Sequence, residues 1–197
     1  MIESPMTYGL RRVDKQRETI DATPYFDVLD NRFGIPQATF EPYLVHRPNR
    51  QAVWIVRRDL QLPERPELHT IGIPFFRAEM RWPRPTTGAA IRWGGLATRH
   101  RVQLDAVEIS RLLARDEVPL SRDRTDEIEG TGYVLLCHLG AVLGLGFFHT
   151  ELGDESPHDA VGRVRAMLPR SWTTQLGVEA PAVEPPDWRA IEQPVTP

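Results

Sequence analysis

The chain is short of lysine, of cysteine and of long apolar runs. Lys15 is the single lysine among 24 Lys and Arg residues. Almost every cation is therefore a guanidinium, a planar fork of donors with permanent charge. Cys137 stands alone, which excludes an internal disulfide and fits a reducing, cytoplasmic setting. No apolar stretch approaches the roughly 20 residues of a membrane helix. The opening MIESPMTYGLRRVDKQRE has no apolar signal segment. A glycine-rich nucleotide turn is also missing. Gly144-Leu145-Gly146 lacks a third glycine and sits inside a predicted hairpin, where glycine marks close backbone approach. Cys137 lies in an apolar strand and reads as core packing, not as a nucleophile.

Metal chemistry is equally poorly supported. His149, Glu151, Asp154, Glu155, His158 and Asp159 crowd one polar insert. They lack a rigid i, i+4 pair and a distant third ligand, so a solvated loop is expected. His46, His69, His100 and His138 stand at no recognisable motif spacing from an acid or nucleophile; a triad could form only in space. The expectation is a non-enzyme without cofactor or metal.

What is present is arginine in two clusters. Residues 77–101 hold Arg77, Arg81, Arg84, Arg92, Arg99 and Arg101 against one acid, Glu79, with Trp82, Trp93 and His100 between them. In 160–172, Arg163 and Arg165 alternate with Val164 and Ala166, and the run closes on Leu168-Pro169-Arg170. Period-two alternation puts those arginines on one face of a strand. Residues 105–130 are acidic in balance, which predicts a basic face and an acidic face. The net charge of −3 argues against a basic coat protein. The arginines could equally pair with the neighbouring acids, and the tryptophans could fill a core.

The predicted elements are mixed. Thr23 reads as an N-cap with Pro24 at N1, Phe26, Leu29 and Phe33 follow at helical spacing, and Gly34 ends the run. YLVH (43–46) and AVWIV (52–56) form a hairpin around Pro48-Asn49. IGIPFFRA (71–78) is a strand whose Pro74 implies an edge or bulge. A helix starts near Pro85 and stops at Gly94-Gly95. RHRVQL (99–104) is a strand, Asp105 caps an amphipathic helix to about Arg115, and 133–148 form a hairpin turning near Leu139-Gly140. This divides the chain into a flexible leader (1–22), an α+β unit (23–96), a small β-barrel (97–172) and a proline-rich tail (173–197).

LDNRFGI (29–35), AVWIVRRDL (52–60), RPTTGAAIRWGGLATRHRVQL (84–104), GYVLLCH (132–138), LGLGFF (143–148) and GRVRAMLPRSW (162–172) together carry a family resemblance. Their order resembles the pre-PUA plus PUA pair of ribosome-biogenesis factors and the RNA-binding module of some ribosomal-RNA cytosine methyltransferases. The resemblance covers about residues 25–172. The insert 149–160, Arg170 in place of lysine, Ala166, and the missing methyltransferase domain depart from it. It implies an α+β fold, a pre-PUA-like unit followed by a PUA-like barrel. It also implies a non-catalytic module for structured ribosomal or transfer RNA.

Arg163, Arg165 and Arg170 would then grip RNA backbone. Arg84, Arg92, Arg99, His100 and Arg101 would extend one groove, clamped between a strand edge and the helix after the first barrel strand. An adaptor that has lost RNA affinity and docks a methyltransferase or ribosomal protein is the alternative. The acidic insert and proline-rich tail favour that alternative.

Overall fold

The computed structural model describes residues 18–61, 71–78, 83–150 and 160–173. The leader before residue 18, the acidic insert 151–159 and the tail after 173 lie outside them. The architecture is α+β, with two five-stranded sheets.

The first sheet runs β1 (Glu18–Thr19), β2 (Tyr43–Arg47), β3 (Ala52–Arg57), β4 (Ile73–Arg77), β5 (Arg84–Pro85), in that order and antiparallel throughout. It begins inside the expected leader, because Glu18 and Thr19 pair with Arg47 and His46. The β2–β3 turn is held by Asn49, whose Oδ1 accepts from the N–H groups of Gln51 and Ala52 at 3.0 and 2.9 Å. This is the local bonding that makes asparagine a turn residue. At Pro74 the β3–β4 register slips between Val53 and Trp54. Proline brings no N–H to the ladder, so a bulge falls there, as the sequence predicts.

Helix α1 spans Thr23–Phe33. Its cap is not Thr23: Ala22 occupies that position, Thr23 starts the helix, and Asp21 Oδ1 accepts the Thr23 N–H at 3.0 Å. The carboxylate one residue further back does the capping that the hydroxyl was expected to do. Gly34 ends the helix at φ 66°, donating to the Asp30 carbonyl while Ile35 donates to that of Leu29. Only a residue tolerant of left-handed backbone closes a helix this way. Helix α2 (Thr87–Trp93) is capped by Thr86, whose hydroxyl accepts from Ala89 N–H.

The second sheet runs β6 (Arg101–Gln103), β8 (Gly132–His138), β9 (Ala141–Thr150), β10 (Ala160–Ala166), β7 (Val118–Ser121), and curls into a half-barrel. β6 pairs parallel with β8; the other pairs are antiparallel. Helix α3 (Ala106–Leu113) carries the chain from one edge to the other. It opens on a full capping box, Asp105 with Glu108. The short helix α4 (Arg170–Thr173) closes the described part.

One core is common to both sheets. Phe33, Phe40, Phe75 and Trp93 pack in a cluster that also holds Leu135, Cys137 and Leu145 of the second sheet. Trp93 is buried there, its ring 5.5 Å from Phe40 and 5.3 Å from Phe75. Trp93 is therefore core and not nucleic-acid surface. A second cluster, with Val102, Leu112, Val118, Val134, Phe148 and Val164, fills the α3 side of the half-barrel. Gly144 is a point of close approach, as expected: a Cβ there would stand 2.6 Å from Leu168 Cδ2. Among the described residues no helix is long and apolar enough to cross a membrane.

Candidate nucleic-acid interface

Strand alternation divides the second sheet into two faces. Val134, Leu136, Phe148 and Val164 point to α3. The intervening residues point to the first sheet, and toward the end of that face the core thins. There Tyr133, Phe147 and Arg165 form one row across three strands, as registered neighbours. The two rings lie 5.7 Å apart at 78°. The Arg165 guanidinium stands 5.2 Å from the Phe147 ring centre, a cation–π contact. In the adjacent row Arg163 faces His149 and Pro119. His149 Nε2 lies 3.7 Å from Glu117 Oε2.

Helix α1 passes over this end of the sheet and leaves an open cleft of about 550 Å³. Asp27, Val28, Asn31 and Arg32 line it from the helix, with Pro83, Thr131 and Gly132 at its sides and Tyr133 and Phe147 from the sheet. Arg32 ties helix to sheet. Its Nε donates to the Tyr133 carbonyl at 2.9 Å and its Nη1 to that of Glu129 at 2.6 Å. Burial lowers the Arg32 pKa, opposed by the charge of Glu129. Its Nη2 is buried and finds no hydrogen-bond partner.

Arg84 follows Pro83, which lines the cleft. It pairs with Arg77 across β4 and β5, beside Pro83. Burial lowers its pKa, the positive charge of Arg77 adds to this, and Tyr133 opposes it. Burial likewise raises the Tyr133 phenol, which Arg84 pulls back. Among the described residues Arg77, Arg84 and Arg165 form no ion pair with a carboxylate. Positive charge therefore stays available at the cleft, where desolvation strengthens its pull on an anion.

The other candidates are placed differently. Arg99 is exposed, but its Nη2 donates to the Asp30 carbonyl at 2.9 Å. Arg101 is half-buried on β6, with Nε buried and unpartnered. β6 lies three strand positions from β10, about 14 Å in a flat sheet. Arg92 is exposed on α2, 5.6 Å above the Trp93 ring. Arg163 is half-buried on β10 and Arg170 exposed on α4. Trp82 and Arg81 lie outside the described residues.

His100 requires a correction, because it is 1% exposed and cannot meet RNA in this conformation. The backbone kinks there to φ 55°. Desolvation, then the nearby charge of Arg32, lower its pKa to about 4, so the ring is neutral.

The strand edge of the expected clamp is not that of β10. β10 is paired on both sides, to β9 and β7, and presents no free edge. α3 packs against the Val164 face, opposite the arginines. The helix facing Arg165 across the cleft is α1, from the other half of the chain. Within the acidic segment, Glu108 lies on the α3 side and binds Arg124 at 2.5 and 3.0 Å, whereas Glu129 lies beside Arg32 at the cleft.

Sequence reading missed Arg32, Tyr133 and Phe147. Arg32 looked like the polar face of an ordinary helix. The one available signal for the rings was Phe147-x-His149 facing Arg163-x-Arg165 across a hairpin. Compared with known protein families and with curated proteins, the sequence matches none.

Proposed function

We propose that this chain is a non-catalytic, PUA-like RNA-binding module that acts in the maturation of structured ribosomal or transfer RNA. One observation carries the reading. Arg165 lies over the Phe147 ring, Phe147 packs edge-on against Tyr133, and Arg84 follows Pro83 at the rim of the same cleft; among the described residues neither arginine is paired to a carboxylate. Guanidinium beside half-exposed aromatic surface suits RNA: the fork grips phosphate and the ring stacks on an unpaired base. The α+β architecture with a curled second sheet accords with a PUA-like barrel. The groove then has Arg84 and Arg165 at its centre, Arg163 and Arg170 along β10 and α4, and Arg99 beside α1, with Arg101 further off on β6.

The test is binding of a structured RNA hairpin between low and physiological salt. Affinity should fall steeply as salt rises, because each phosphate contact releases counterions. Arg84→Glu with Arg165→Glu should weaken binding at least about 100-fold, the scale of two lost charge-assisted contacts, and leave the thermal midpoint nearly unchanged. Absence of binding at low salt, or a flat salt dependence, overturns the proposal.

The second reading, a protein–protein adaptor, rests on Val107 and Leu139, which are 69% and 90% exposed. A partner retained through nuclease and high salt would favour it.

A further inference from the structure

We propose that the cleft between α1 and the second sheet holds one unpaired RNA base, a reading that rests on the RNA-binding proposal above. The two rings set the shape. At 78° they cannot both stack on one base, so a base lying on the Tyr133 ring meets the edge of Phe147. One face of Phe147 is already taken by Arg165, which makes Tyr133 the stacking surface. The volume of about 550 Å³ lies in the range of small-molecule sites and accommodates a base with its ribose.

Charge sorts the two ends of a nucleotide. Asp27 and Asn31 line the α1 wall one helical turn apart, with Thr131 at the side. Asp27 is held in place by Gln37, whose Nε2 donates to Oδ1 at 2.7 Å. These groups offer donors and acceptors to a base edge, and the carboxylate repels phosphate. Arg84, next to Pro83 at the rim, and Arg165, over Phe147, attract it. Base inward and phosphate outward is the orientation this arrangement favours. A base in a duplex has both its stacking faces and its pairing edge occupied, so it cannot enter without leaving the helix. The RNA class implied is therefore a hairpin or junction with a bulged or splayed nucleotide, rather than uninterrupted duplex.

The experiment uses the full chain and two RNA hairpins, identical except that one carries a single bulged 4-thiouridine. The bulged hairpin should bind about 5- to 150-fold more tightly, the range of one base–aromatic stack. Irradiation should cross-link the bulge to Tyr133 or Phe147. Tyr133→Leu, and separately Phe147→Leu, should erase the preference while binding of the uninterrupted hairpin persists. The cross-link is read on the wild-type chain and does not depend on either variant folding. Equal affinity for both hairpins, with cross-links outside the cleft, overturns this inference and leaves RNA binding standing. Failure to bind either hairpin at low salt overturns both.

Discussion

Arg165 ends over an aromatic ring at the cleft, whereas Arg32 and Arg99 end on backbone carbonyls of the fold. The side chain is the same and its use differs. A guanidinium that meets fixed carbonyl acceptors becomes a structural tie; one that meets only rings keeps its fork for an outside anion. Proximity in sequence says little about which use applies. Arg99 and Arg101 flank a buried histidine, while Arg84 and Arg165 come to one cleft from opposite halves of the chain.

The sharpest way to break this comparison is Arg32→Met. It would leave the carbonyls of Tyr133 and Glu129 without their charged donor. Losing hydrogen bonds to a buried charged group should cost about 3 kcal/mol of unfolding free energy in denaturant titration. A loss below about 1 kcal/mol would show that Arg32 is no more structural than Arg165.

A smaller effect concerns His100, which separates the two uses along the chain. Its pKa is lowered in the fold to about 4 from 6.5, so the unfolded state binds the extra proton first. Stability is then full above about pH 7 and is lost as pH falls from 6.5 toward 4, by about 2 kcal/mol at pH 5. His100→Asn, which tolerates the positive φ, should flatten stability across that window. An unchanged pH profile would show that other groups set it.

The smallest effect separates Arg99 from Arg165 most finely. Arg99→Ala removes one exposed tie to the Asp30 carbonyl and should lower stability by roughly 0.5–1 kcal/mol. Its effect on RNA affinity should be far below that of Arg84→Glu with Arg165→Glu. Equal losses of affinity would place Arg99 in the groove and dissolve the distinction.

Most of the elements were legible in the sequence, and for local reasons; the short strands β1, β5 and β7 were not, because long-range pairing defines them. Gly34 closes α1, Asn49 turns the first hairpin, Pro74 bulges β4, and Asp105 caps α3. Each depends on bonds within a few residues. The alternation of Arg163 and Arg165 with Val164 likewise fixed two opposed faces on β10, as observed. The cap of α1 was misplaced by one residue: Ala22 holds the position, and Asp21 accepts the Thr23 N–H.

Periodicity assigns side chains to the faces of their own element, and that much belonged to the sequence alone. What covers a face was decided by long-range pairing: β6 joins β8 in parallel, β10 inserts between β9 and β7, and α3 crosses behind them. That pairing turned the arginine face of β10 toward the α1 cleft, brought Pro83 and its neighbour Arg84 to the cleft rim, and buried His100. The free energy of these contacts comes from burying apolar faces that any suitable partner could cover, so only the assembled core selects the partner and, with it, the arginines left to bind.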